Sequence, residues 1–257
     1  MHAWDAGQYL RFADERTRPA LDLIARIDLA APQRIVDLGC GPGNSTALLR
    51  QRWPEAAIAG LDSSADMLES ARRDYPGIDF AIGDIAEWAA AEPYDLVFSN
   101  AALQWVGGHE HLLPRLMDMV APDGALAVQM PRNHDFATHA LMRQVAAEGP
   151  WRDRLAGARD PSPVKPPEFY YDCLASKSRD IVLWETNYIQ IMDGIDAIIA
   201  WLHGTGLRPF LARLDAAEQQ IFLDRYAALL AEAFPAQIDG KVLLPYPRLF
   251  FIATPRR

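Results

Sequence analysis

Short apolar runs alternate with amphipathic stretches through the first half of the chain. Ile35–Leu38, Ala57–Asp62, Phe80–Gly83, Tyr94–Ser99 and Ala125–Met130 read as strands. Between them Asp66–Asp74 and Leu112–Val120 read as helices, the second halted by the turn signal Pro122-Asp123-Gly124. Strands alternating with helices at this spacing predict a parallel sheet covered on both faces, and the right-handed crossover rule makes it doubly wound. In the second half Phe136–Glu148, Ile195–His203 and Asp215–Phe234 carry helical patterns; in the last, Ile221, Leu223, Tyr226, Leu229, Leu230 and Phe234 recur near the helical period. Asp180–Met192 and Arg248–Thr254 read as two further strands, an antiparallel edge, and Gly149–Pro167, rich in Pro, Arg and Asp, as an insertion or loop. The expected fold is α/β: a doubly wound, mostly parallel seven-stranded sheet with an antiparallel edge and helical cap insertions.

The glycine run after the first strand changes the picture most. Val36-Asp37-Leu38-Gly39-Cys40-Gly41-Pro42-Gly43-Asn44-Ser45-Thr46 closes a strand and opens a helix, which Asn44 or Ser45 is suited to cap. Glycines let the backbone turn sharply and let a ligand lie against it. Asp62 ends the next strand, close to the roughly 20-residue offset at which a carboxylate meets ribose hydroxyls, so the pair predicts an adenosine-containing cofactor. A pyrophosphate usually lies against Gly-x-Gly-x-x-Gly. Here the third glycine comes one residue early, and Asp37 ahead of the loop repels phosphate while suiting an ammonium, held directly or through water. An NAD-dependent oxidoreductase is disfavoured on both counts. Cys40 serves as a small residue within the turn, with no histidine pairing to mark it as a nucleophile.

Asp-Leu-Gly-Cys-Gly-Pro-Gly at residues 37–43 resembles the first motif of Rossmann-like S-adenosylmethionine methyltransferases. The resemblance implies that Asp37, Gly39 and Gly41 line the methionine end of that cofactor and that Asp62 takes its ribose, with Cys40, Asn44 and Ser63 as further cofactor-binding residues. It implies that Asp84 meets the adenine amino group, with Ile85 on the ring, and that Asn100, Ala101 and Trp105 stand beside the transferable methyl. Met67 at helical spacing is the plainest core residue of the set; its functional reading is a contact with adenosine. Trp4-Asp5…Tyr9-Leu10…Phe12, Glu15-Arg16…Arg18-Pro19-Ala20, Ala102-Leu103-Gln104-Trp105, Val128-Gln129-Met130-Pro131, Thr205-Gly206-Leu207-Arg208-Pro209 and Pro245-Tyr246-Pro247-Arg248-Leu249-Phe250 are similar to the trans-aconitate methyltransferases along nearly the whole chain. On that resemblance residues 1–257 form one methyltransferase domain. The cofactor-binding half is about 30–132, with substrate-side and cap elements at about 1–20 and 133–248. Trp4, Tyr9 and Arg16 read as a lid over the cofactor, and Trp4, Tyr9 and Phe12 as the packed face of an N-terminal helix; the two readings are compatible.

The implied reaction is methylation of one carboxylate of trans-aconitate, giving a monomethyl ester and S-adenosylhomocysteine; another small carboxylic acid or a metabolite hydroxyl is the alternative. Asn100-Ala101-Ala102-Leu103 departs from the Asn-Pro-Pro-Tyr type of the nucleic-acid amino methylases, and no His/Asp/Glu cluster has metal-ligand spacing. A carboxylate is already ionised at neutral pH and attacks without a general base, so no catalytic acid or base is assigned and catalysis is expected to rest on alignment and water exclusion. Arginine offers the fork that suits the non-reacting carboxylates. Arg208 and Arg248 are the first candidates, with Gln104, Trp105, Asn133 and Tyr246 as walls; ordinary surface ion pairs are the competing reading for the arginines.

Composition narrows the setting. The 257 residues carry a formal net charge of −9, whereas a surface that tracks phosphates is normally basic, so nucleic acid is not an expected partner. The two cysteines, Cys40 and Cys173, are far apart and form no disulfide framework, and no apolar run approaches the roughly 20 residues of a membrane span. The expected location is the cytoplasm. A binding module without catalysis ranks last, because the substrate-side segments would then have no purpose.

Overall fold

The computed structural model describes residues 13–158, 164–204 and 206–256; Trp4 and Tyr9 lie outside them. The chain divides into two compact units, 1–131 with 164–186 and 248–257, and 132–163 with 187–247.

The first unit holds α1 (Ala13–Ala25), β1 (Arg34–Leu38), α2 (Asn44–Arg52), β2 (Ala57–Asp62), α3 (Ala65–Asp74), β3 (Asp79–Ile82), β4 (Tyr94–Asn100), a 3₁₀ turn (Leu103–Trp105), α4 (His109–Met117), β5 (Val120–Pro131) and α7 (Pro167–Ala175). It also holds β6 (Ser178–Met192) as far as Thr186 and β7 (Val242–Pro255) from Arg248. The strand order is β3-β2-β1-β4-β5-β7-β6. From β3 through β5 neighbours run parallel, and β7 lies antiparallel on β5, Leu126–Pro131 facing Arg248–Ala253. Ile35–Leu38, Leu96–Ser99 and Ala125–Met130 are buried throughout, as a sheet covered on both faces requires. The order reverses at β1 and β4, so the connections leaving these strands diverge and open a crevice at their carboxyl ends.

The second unit contains α5 (Ala137–Glu148), α6 (Arg152–Leu155), α8 (Ile195–His203), α9 (Arg208–Leu211) and α10 (Ala216–Ala233). Asp215 caps α10 in a reciprocal box: its carboxylate accepts from Glu218 N–H at 2.9 Å, and Glu218 accepts from Asp215 N–H at 3.1 Å. α10 packs on α5 and α8, and Tyr226 Oη, fully buried, donates to Thr138 O at 3.0 Å.

Three local expectations are corrected. Helix α2 is capped by Gly43, left-handed at φ 89°, not by Asn44 or Ser45, because the Ser45 hydroxyl is committed to Asp37. Pro122-Asp123-Gly124 lies inside β5 rather than in a turn. The ladder with β4 shifts register between Tyr94 and Leu96, so the proline falls in a bulged stretch, and a Cβ at Gly124 would stand 2.5 Å from Asp95 O. Residues 149–167 are not all loop: α6 lies within them, anchored by buried Trp151, whose Nε1–H donates to Val145 O at 3.0 Å.

Candidate functional site

A cleft of about 410 Å³ opens in the first unit at the carboxyl ends of its parallel strands. Gly39, Cys40, Gly41, Asn44, Asp62, Ser63, Met67, Asp84, Ile85, Asn100, Ala101 and Trp105, all singled out in the sequence, line it together.

The loop after β1 is drawn onto the end of β2. Gly39 N–H and Cys40 N–H both donate to Leu61 O, at 2.7 and 3.0 Å, and Gly41 N–H donates to Asp62 Oδ2 at 2.9 Å. Asp62 Oδ1 accepts from Ser64 N–H at 2.8 Å. Each carboxylate oxygen therefore has one backbone donor and retains acceptor capacity for a ligand hydroxyl. Asp84 makes a similar turn, Oδ1 accepting from Ala86 N–H at 2.8 Å. Arg115 from α4 fixes this turn by donating to Ile85 O and Ala86 O, both at 2.8 Å, and to Trp88 O. After β4, Ala101 has φ 54°, a strained conformation for alanine. It is held because its N–H donates to Gln129 O at 2.9 Å and its carbonyl accepts from Gln104 Nε2 at 2.6 Å.

Asp62 and Asp84 are the charged residues in this wall, and among the described residues the lining has no lysine or arginine. A cleft of this sign favours a cationic adenosine compound over a pyrophosphate. Burial pushes the Cys40 thiol up, with Asp37 and Asp62 adding to the effect, so the sulfur stays protonated and is no nucleophile.

Asp37 is placed otherwise than the other twelve. It is fully buried, does not line the cleft, and its Oδ2 accepts from Ser45 Oγ and Thr46 Oγ1, both at 2.7 Å. Burial pushes its carboxyl up to about 6, against the lowering effect of those two hydroxyls. A folded value above the unfolded one near 3.8 means that the protonated form favours the fold. This contribution is complete below about pH 4 and disappears as the pH rises through 6, a difference of roughly 3 kcal/mol. Asp37→Asn is accordingly expected to stabilise the ligand-free protein at pH 7.5, the gap in unfolding free energy narrowing toward pH 5. Urea titrations of both forms across that range check it, and a gap independent of pH contradicts it.

The acid-side candidates are distributed over both units. Arg248 and Gln104 are in the first. Arg248 is 5% exposed, and its Nη1 donates to Gln129 Oε1 at 3.4 Å. Gln129 is fully buried and stands in register with Asn100 across β4 and β5. Gln129 Nε2, Asn100 Oδ1 and Gln104 Oε1 are buried with no protein partner among the described residues. In the second unit, Asn133 O accepts from Phe136 N–H at 3.1 Å, Arg208 is the first residue of α9, and Tyr246 meets Trp201 edge-on at 5.9 Å. Sequence reasoning missed Gln129, which looked like one more strand residue. It also missed Thr17 and Ala20 on α1, which line the cleft although Arg18-Pro19-Ala20 had drawn notice as a motif.

A family profile described as a methyltransferase domain matches residues 35–124. The crystal structure of YcgJ from Bacillus subtilis superposes with a TM-score of 0.61 over 93% of this chain and 99% of its own; at 13% identity the likeness is one of fold. The trans-aconitate 2-methyltransferase of Azoarcus sp. (strain BH72) is 51% identical over 99% of this chain and 100% of its own length. That of Methylobacterium nodulans is 54% identical over 100% of both. The chain belongs to the trans-aconitate 2-methyltransferase family. The match to that family runs far beyond residue 124, so it takes in the second compact unit as well as the cleft-bearing half.

Proposed function

We propose that the chain transfers a methyl group from S-adenosylmethionine to one carboxylate of trans-aconitate, yielding the monomethyl ester and S-adenosylhomocysteine. The observation that carries this reading is an acidic cleft free of lysine and arginine in its described lining, in the same unit as a buried arginine. The residues fit the cofactor. Gly39 and Gly41 leave the loop without Cβ atoms, Asp62 retains acceptor capacity for ribose hydroxyls, and Asp84 for the adenine amino group. Ile85 and Met67, both nearly buried, supply apolar contact. Asp37 Oδ1, buried without a partner among the described residues, supports a role toward the methionine ammonium through water.

When bound, S-adenosylmethionine supplies an electrophilic methyl on a sulfonium. The protein's part is to bind, align and keep water out. Arg248 holds a non-reacting carboxylate with its fork, and Gln129 Nε2 offers it a further hydrogen. Gln104 uses one Nε2 hydrogen on Ala101 O and has the second for the acid, while Trp105, 46% exposed, forms a wall. The attacking carboxylate needs no base, since a carbon–oxygen bond forms as the carbon–sulfur bond breaks and no proton moves. Asn133, Arg208 and Tyr246 are kept as contacts of the acid on sequence grounds.

Among the described residues no helix is long and apolar enough to cross a membrane. The free thiols of Cys40 and Cys173 support a reducing, cytoplasmic setting, and the charge of −9 supports a small-molecule rather than a nucleic-acid partner.

The test is methyl transfer to trans-aconitate, with citrate, cis-aconitate and isocitrate run alongside. The expected result is a trans-aconitate monomethyl ester formed faster than any other product. Cofactor binding with no such product would overturn the substrate and leave a methyltransferase for another acid or hydroxyl.

A further inference from the structure

The Leu103–Trp105 turn, whose Trp105 lines the cleft, is followed by Gly107-Gly108, both exposed, before α4 begins at His109. A glycine pair is the least constrained connection a chain offers. His109 reaches back across it. Its ring is 7% exposed, with Nε2 2.8 Å from Leu103 O and Nδ1 3.2 Å from Tyr170 Oη. A carbonyl only accepts, so Nε2 carries a hydrogen. In the neutral ring Nδ1 then accepts from Tyr170 Oη–H, and Tyr170 Oη accepts in turn from Lys165 N–H at 3.1 Å.

Leu103 O receives a second hydrogen from Val106 N–H at 2.9 Å, which fills both of its lone pairs. The far end of the line is rigid: Tyr170, fully buried on α7, stacks on Phe251 of β7 with ring centroids 5.6 Å apart. α4 and α7 pack on each other. We propose that His109 is a positioning residue: through its Nε2–H it ties the Leu103–Trp105 turn to the α4–α7 core. It thereby holds Trp105 at the cleft. The inference rests on the reading of that cleft as the methyl-transfer site only for its effect on kinetics.

Two readouts test it on the full chain. Loss of a hydrogen bond to a buried carbonyl is expected to speed amide exchange in residues 101–108 by about tenfold in His109→Leu, with β1 and β2 unchanged. At saturating cofactor the same variant should raise KM for trans-aconitate about tenfold. His109→Gln places an amide donor where Nε2 stood and should stay within about threefold of the parent in both. Tyr170→Phe, which removes the anchor but spares the donor to Leu103, should fall between them and serves if His109→Leu does not fold. Unchanged exchange at 101–108 in His109→Leu or in Tyr170→Phe, or a Gln variant no better than Leu, would overturn the proposal. A parent that leaves trans-aconitate unmethylated would sink the functional reading, while the exchange data still decide the role of His109.

Discussion

Gly39→Ala is expected to weaken S-adenosylhomocysteine binding by at least about 100-fold, and it is the most damaging single methyl that can be added to the cleft. Two independent costs add at this position. Gly39 has φ 75°, where an L side chain costs about 1–2 kcal/mol. Its Cβ would also stand 2.2 Å from Ala102 Cβ, a clash between side-chain atoms that are both fixed to backbone. Ala102 cannot retreat freely, because Ala101 beside it is already strained and is tied to Gln129 O and Gln104. Overpacking of this kind costs about 1–3 kcal/mol even where neighbours give way. Gly41→Ala is the control. Gly41 shares the left-handed backbone at φ 55°, yet a Cβ there meets nothing within 4 Å. Calorimetric titration of both variants with S-adenosylhomocysteine, alongside their thermal melts, separates strain from clash. Equal losses in the two would show that backbone conformation alone demands glycine at 39.

How much of this site the sequence disclosed follows the range of the interactions involved. The β1 loop and Asp62 were legible because strand, glycines and acidic strand end lie within a short stretch. Asp37 was legible as a charge but not in its surroundings: only the folded loop turns the Ser45 and Thr46 hydroxyls onto it. Gln129 was quoted within the Val128–Pro131 segment but given no role, since its meaning comes from β7, which brings Arg248 to it across 119 positions of sequence. Pro122-Asp123-Gly124 obeyed the usual turn chemistry, and the bulge against Tyr94 overrode it. Helix α7 was missed although Pro167 opens it, because the prolines before it spoke for a loop; with it went Tyr170 and the anchor of His109.

Arg248→Met should lower kcat/KM for trans-aconitate by about 100-fold or more, chiefly through KM, with S-adenosylhomocysteine affinity within about threefold of the parent. The magnitude follows from charge-assisted hydrogen bonds of about 1.5–3 kcal/mol each, of which a bidentate fork makes two. The effect belongs in KM because a carboxylate remote from the reacting oxygen is held alike before and during transfer. Arg248→Met also leaves Gln129 Oε1 without its donor, so thermal melts of the variant accompany the kinetics. At 5% exposure the Arg248 guanidinium lies beside the fully buried Gln129. Arg248→Lys keeps the charge without the fork and should recover only part of the loss. Gln129→Leu should cost about tenfold, and the double variant less than the product of the two, since both act on one carboxylate. Steady-state kinetics at saturating cofactor measure all four. An unchanged KM in Arg248→Met would move the anion anchor off the first unit and leave Arg208 as the candidate.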